Sequence, residues 1–383
     1  MRDIGRKAAI LVDHIVMALG FIPLTLYTSL VENIGLSHEV LGWGMVSFMA
    51  GLSIAFLIAS IIPVKPSRII MVSYVVLSIT CLILPYTMDL VVILVLRLLQ
   101  GVSITSIPVL TLHINKLFRG SKGFIASSIV LAGIFTGSYL GTVLPNITRD
   151  IISTYILTAI IVFIIIILWT LIYDKDFEKP TITERLGKYV WLDPIVWSWG
   201  IGFHILLGIL YGFLGLIDYL KNIGLIYVTI DVRMYSLAAI MWTITAGFYG
   251  YILSRSSSKN IVHVSINTMI IIYITTITGL LLTVHTTPPL SDVGLLLVTI
   301  TQAGGVPFWT MVGQIYANKP MKVFATGLIA NLGTLTGSLV MKIISSKELF
   351  SLVLVVMVIV GLVATITTLI SMRKYKRISY SIG

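Results

Sequence analysis

Runs of about 20 consecutive apolar residues recur from one end of this 383-residue chain to the other. Wound as a helix, a run of that length spans the hydrocarbon core of a bilayer. Lipid offers no hydrogen-bond partners, so each such segment must satisfy its own backbone N–H and C=O groups, and a helix does so. The runs fall at roughly 8–30, 40–62, 69–87, 90–113, 124–145, 151–173, 195–217, 234–253, 261–284, 291–317, 324–343 and 349–371. The expected fold is an all-α polytopic membrane protein with twelve transmembrane helices. Composition fits: 57% of residues are hydrophobic and 11% charged, too apolar for an ordinary soluble domain. The stretch "DYLKNIGLIYVTIDVRMY" leaves the ends of the seventh and eighth spans free to shift by several residues. The basic start "MRDIGRKAA" has the charge pattern of a secretory leader, but no small-residue cleavage site follows, so the first run reads as a membrane helix.

Orientation follows from Lys and Arg. With twelve spans, 20 of the 26 fall in the segments on the side of the termini, five on the other side, and Arg97 within the membrane. Both termini are therefore expected in the cytoplasm. The net charge of +11 is spread over short loops, and that argues against nucleic-acid binding. The single cysteine, Cys81, has no intrachain partner and lies in an apolar run, so a buried free thiol is expected.

The longest hydrophilic loop, Asp174 to Asp193, lies between spans six and seven and divides the chain in two. Across it, "KGFIASSIVLAGIFTGS" (Lys122 to Ser138) aligns without a gap on "KVFATGLIANLGTLTGS" (Lys322 to Ser338). Seven of the seventeen positions agree, including a Thr-Gly-Ser triplet and the loop lysine. Six spans separate the copies, so both cross in the same direction and the halves relate by an axis along the membrane normal. The expected domains are a six-helix bundle at 1–173, a cytoplasmic loop at 174–193, a second six-helix bundle at 194–372 and a basic tail at 373–383. These two pseudo-repeats enclose a central cleft. Gly133, Gly137 and Gly141, matched by Gly333 and Gly337, give one face without side chains, suited to close packing or to sliding during conformational exchange.

On these residues the chain resembles the major facilitator superfamily, the twelve-helix secondary transporters built from two six-helix halves. "RLLQG", with Arg97, Gln100 and Gly101, reproduces the family's R-x-x-Q-G motif in the fourth span. "GYILSRSSSK" resembles its G-x-L-x-D-R-x-G-R-K loop in Gly250, Arg255 and Lys259, with Ser254 in place of the acid. The equivalent loop after span two has Pro63 at the acidic position, so the usual salt bridges of these loops are in doubt. "DHIVMALGFIPLTLY" is similar to the drug:proton antiporter branch, whereas "GIFTGSYLGT" departs from that branch's pattern at Ser138 and Thr142. The resemblance covers essentially the whole chain.

The resemblance implies that helices one, four, seven and ten line the cleft. An unpaired cation about 10 Å from the outer end of its helix, as Arg97 is, needs a partner or water. Two readings stand: a structural clamp on main-chain carbonyls or Gln100, or a ligand for the solute. Asp13 is the one carboxylate clearly inside a span, but it lies about 12 Å from Arg97 in depth, beyond ion-pair reach. It is either a proton carrier or a helix-start residue reaching back to the interface. His204 is the second proton-coupling candidate, against the plainer reading of a packing histidine. Tyr27, Tyr211, Gln302 and Trp309 complete the cleft candidates, and Pro108 and Pro307 occupy near-equivalent places where both helices would kink.

Phosphate-loop, H-E-x-x-H and metal-ligand patterns are missing, so neither an enzyme, a metal site nor a cofactor is expected. The leading expectation is proton-coupled efflux of a small, partly apolar organic solute by alternating access across the cell membrane. Uptake or facilitated movement of an anionic solute is the alternative, with Arg97 as ligand. A non-transporting receptor or scaffold is a third reading of another class. The expected partners are the solute, protons and the lipid bilayer, with the chain acting as a monomer.

Overall fold

A computed structural model describes residues 2–62, 65–118, 120–172, 235–255, 261–301, 305–315, 320–343 and 347–375, with isolated positions between 197 and 229. Long α-helices account for nearly all of them: α1 (Arg2–Asn33), α2 (His38–Ile61), α3 (Pro66–Ile83), α4 (Leu90–Gly101), α5 (Ser106–Leu117), α6 (Gly120–Thr148), α7 (Ile151–Ile172), α8 (Tyr235–Arg255), α9 (Ile261–His285), α10 (Leu290–Thr301), α11 (Gly305–Ile315), α12 (Pro320–Ile343) and α13 (Lys347–Tyr375). Among the described residues, ten stretches are long and apolar enough to cross a membrane. They coincide with ten of the twelve apolar runs. The eighth run is α8, while most of the seventh and the whole 174–193 loop lie outside the described residues. Large apolar side chains crowd the outward faces of α3, α7 and α13, as lipid contact requires; Val72, Leu171 and Ile370 are examples.

The fourth span tightens at its middle. A 3-10 turn over Val102–Thr105 joins α4 to α5, with right-handed helical backbone on both sides. Pro108 cannot donate to the carbonyl four residues back, which removes one α-type hydrogen bond beside this turn. As the third residue of α5, it sits where a missing N–H costs nothing. In the tenth span α10 runs to Thr301 and α11 starts at Gly305, with Pro307 again the third residue of its helix; residues 302–304 lie outside the described residues.

Within the first half, α6 lies along α1 on its glycine face. A Cβ on Gly133 would come 2.5 Å from the His14 carbonyl; at Gly137 it would strike the Ala18 carbonyl, and at Gly141 the Ile22 carbonyl and Thr25 Oγ1. Thr25 Oγ1 donates to the Ser138 carbonyl at 2.7 Å across the same contact. The equivalent pair in the second half also packs closely, with the glycine on the other helix of the pair: a Cβ on Gly208 in span seven would strike the Thr334 carbonyl of α12. Gly333 and Gly337 are buried in that helix. Ser138 and Ser338 each donate to the carbonyl four residues back at 2.9 Å. The two halves are thus consistent with a structural repeat. Helices α2 and α4 also touch backbone to backbone, because side chains at Gly51 or Gly101 would strike the carbonyls of Leu98 and Phe48 respectively.

Among the described residues, three seams join the halves. Asn331 of α12 donates to the Met49 carbonyl of α2 at 2.8 Å and to Ser53 Oγ at 2.6 Å. Gly250 of α8 abuts Ser128 of α6. Gly313 of α11 abuts Thr111 and Asn115 of α5. The last two seams lie at the membrane side of the α5–α6 turn, the side expected to be cytoplasmic.

Candidate functional site

Two buried polar centres lie in the first half, at different depths. In the outer one, Arg97 of α4 is 0% exposed. Its Nη1 donates to the Pro23 carbonyl of α1 at 3.0 Å and to Gln100 Oε1 at 2.7 Å. Nη2 lies 3.6 Å from Met45 Sδ of α2. The guanidinium stacks 4.2 Å from the centre of the Tyr27 ring and 4.5 Å from that of Phe48. Tyr27 is fixed in turn by donating to the Val40 carbonyl at 2.8 Å, and Gln100 Nε2 reaches Cys81 Sγ of α3 at 3.6 Å. Arg97, Gln100 and Tyr27 thus interlock inside the first bundle rather than facing an open cleft. These contacts are those of a clamp tying four helices, with carbonyl, amide and π-face dispersing a charge that lipid would not tolerate. Cys81 is a buried free thiol.

The inner centre is built on Asp13 of α1, which is 1% exposed. Its Oδ2 lies 2.6 Å from His113 Nδ1 of α5, and its Oδ1 accepts from Trp169 Nε1 of α7 at 2.9 Å. His113 and Trp169 are themselves buried, with rings edge to face at 6.4 Å. The Asp13 carboxylate therefore points into the bundle and not back to the interface. Its neighbour His14 turns the other way, placing Nδ1 2.6 Å from the Ile129 carbonyl of α6. Tyr74 of α3 completes the floor by donating to the Val16 carbonyl.

An imidazole and a carboxyl in direct contact share one proton and remain neutral overall, whichever atom holds it. A second proton makes the pair a cation, and loss of the first makes it an anion. Either change is costly in a buried site, so protonation is bound to movement or to water entry.

In the second half, His204 is buried and meets Phe308 edge to face at 5.2 Å. Trp309 packs against Phe308 at 5.4 Å. A Cβ on Gly327 would lie 3.1 Å from Phe56 and 3.2 Å from Trp309, so Trp309 meets the first half where α2 and α12 touch. Arg255 stacks on Tyr251 at 5.0 Å. Tyr211, Gln302 and Lys259 lie outside the described residues. His113 and Trp169 were not legible as single residues. The signal was depth: Asp13 is five residues beyond Ala8, His113 four before the end of α5 and Trp169 three before the end of α7. At 1.5 Å per residue those depths agree to within about 3 Å.

Comparison with known proteins agrees with this architecture. The sequence profile of the Major Facilitator Superfamily matches residues 11–341. Among solved structures the chain is similar to the crystal structure of the human organic anion transporter MFSD10 (TETRAN), with a TM-score of 0.69 and 12% identity. The match covers 95% of this chain and 99% of that one, and at such identity it is a likeness of fold. No curated protein sequence matches. The profile takes in both buried centres and both halves, and the family's members are transporters of small molecules rather than enzymes. This multi-pass membrane protein, a secondary transporter, belongs to the Major Facilitator Superfamily.

Proposed function

We propose that the protein exports a small, partly apolar organic solute in exchange for protons, and that Asp13 is the group through which the proton passes. The observation that carries this reading is the sealed Asp13–His113–Trp169 cluster. It is an acid–imidazole pair with no metal-binding cluster among the described residues, at a depth where a buried carboxylate carries a desolvation cost. The two halves, 1–173 and 194–372, rock about a site near the midplane, with both termini in the cytoplasm and the chain working as a monomer in the cell membrane. The cleft candidates in the second half are His204 and Trp309, where spans seven and ten meet.

A second reading is movement of an organic anion, which the name of the structural neighbour MFSD10 suggests. It requires a cation in the cleft, and Arg97 is sealed within the first bundle. Charge-selective competition by organic acids would favour it.

The test uses the protein in sealed vesicles with an internal pH dye, an imposed proton gradient, and a panel of lipophilic cations, neutral amphiphiles and organic acids. The wild type is expected to move protons with at least one compound, and Asp13→Asn to lose at least 90% of that flux. Full proton flux in Asp13→Asn overturns the role of Asp13. No compound-dependent flux in the wild type overturns proton coupling.

A further inference from the structure

The same short helix carries both the proton-binding pair and a seam between the halves. On one face of α5, His113 holds Asp13. On another, Thr111 and Asn115 pack against Gly313 of α11, so closely that a side chain at residue 313 would have to displace them. Asn115 is stiffened by donating to the Thr111 carbonyl at 2.7 Å. A 3-10 turn, a tighter and weaker stretch of helix, joins α5 to α4 at Val102–Thr105, and α4 is held by the Arg97 clamp. The segment from 106 to 117 is therefore a short lever. Its root is held where Ser106 Oγ meets Met17 Sδ of α1 at 3.7 Å, its inner edge is tied to α1 by the His113–Asp13 bond, and its outer edge packs against the opposite half.

We propose that His113 is a positioning residue for transport: the Asp13–His113 bond latches α5 against the first bundle, and a second proton on the pair releases it. A neutral carboxyl can no longer hold an imidazolium as a charged acceptor would, and the resulting net cation must find water. The α5 lever then swings about the 3-10 turn, and the Thr111/Asn115 edge leaves Gly313. The transporter opens on the side expected to be cytoplasmic when the pair is doubly protonated and closes there when it holds one proton. Other titratable groups on the elements around Asp13 do not compete for this role. Tyr74 of α3 is engaged with the Val16 carbonyl, His14 of α1 faces α6, and Lys122 of α6 is exposed. Tyr139 of α6, Tyr155 of α7 and Glu39 of α2 sit toward the opposite membrane face.

The inference rests on the proton-coupled reading above, and its test separates the two. Spin labels placed at Lys122→Cys and Arg255→Cys, exposed positions on opposite halves, report the gap between α6 and α8 in lipid nanodiscs. Buried Cys81 stays unlabelled. In the otherwise native protein the wide-gap population is expected to rise at least threefold as pH falls from 8 to 5. His113→Gln and Asp13→Asn are each expected to abolish the pH response. Trp169→Phe, which removes only the indole N–H, is expected to keep the response but move its midpoint by half a pH unit or more. That variant serves where the others do not fold. A pH response unchanged in His113→Gln, or a midpoint unmoved in Trp169→Phe, overturns the latch. If Asp13→Asn loses proton flux in vesicles while the labelled gap still follows pH, the latch falls and the proton-coupled reading stands. If flux itself survives in Asp13→Asn, both fall.

Discussion

A permanently charged side chain inside a membrane helix has to be accounted for atom by atom. Arg97 is met by one carbonyl, one amide oxygen, a thioether and two aromatic faces, all from the first half. Replacing it with Met keeps the length and removes the charge, but leaves Gln100 Oε1 and the Pro23 carbonyl without their donor in a dry interior. The expected cost is about 2–4 kcal/mol, read as a fall in melting temperature in detergent with a matching loss of monodisperse protein. Arg97→Lys keeps the charge without the planar fork and should lie between. A variant that keeps its melting temperature and loses transport would show instead that Arg97 serves the solute. The sequence made Arg97 conspicuous because one motif and one charge coincided there. It left open whether the partner was protein or solute, because nothing in the sequence shows that the Pro23 carbonyl and the Tyr27 ring, the latter expected in the cleft, turn toward Arg97. The Asp13 partner was hidden for a related reason: His113 is a common residue in an unremarkable run, and only matching depths on antiparallel helices brings the two together.

At the scale of helices, the glycine face was legible and its counterpart was not. The spacing of Gly133, Gly137 and Gly141 announces a smooth surface, and their buried positions against α1 place it. Which helix fills that surface depends on carbonyls of α1, and a backbone leaves no mark in sequence. Gly137→Leu drives a side chain into the Ala18 carbonyl, so α1 and α6 must separate. We expect a loss of stability of about 2–4 kcal/mol, seen as a lower melting temperature, with the same change at the lipid-facing Ile160 of α7 costing less than 1 kcal/mol. The 3-10 turn in the fourth span lies just ahead of Pro108, one of the two prolines expected to kink their helices. The structure adds their shared register, third in α5 and third in α11. At the outer end of α7, Asp150 accepts from Ile152 and Ser153, and those hydrogen bonds hold its carboxyl below the usual carboxylate range. Stability from this cap is present above the ordinary carboxylate pKa and is lost as pH falls through the lowered value.

For the molecule as a whole, twelve apolar runs, a mid-chain polar loop and one repeated triplet were enough to anticipate two helical halves. The contacts between those halves were not readable. They are made by single residues such as Asn331, whose amide reaches both Met49 and Ser53 across the seam. Asn331→Leu removes both bonds and keeps the volume. It is expected to raise the wide-gap population between Lys122 and Arg255 at least threefold at pH 8, without a comparable change in melting temperature. An unchanged gap would mean that the other two seams set the equilibrium alone.

The 3-10 turn at Val102–Thr105 has a bearing on how this protein can vary. If the latch proposed above operates, residues before it in the fourth span belong to a fixed frame, whereas residues after it belong to a part that moves. Substitutions on the two sides should therefore sort into two phenotypes: those up to Gly101 decide how much transporter accumulates in the membrane, and those from Ser106 onward decide how fast each copy turns over. A single helix in one span would have tied abundance to speed, and the interruption lets the two be tuned separately.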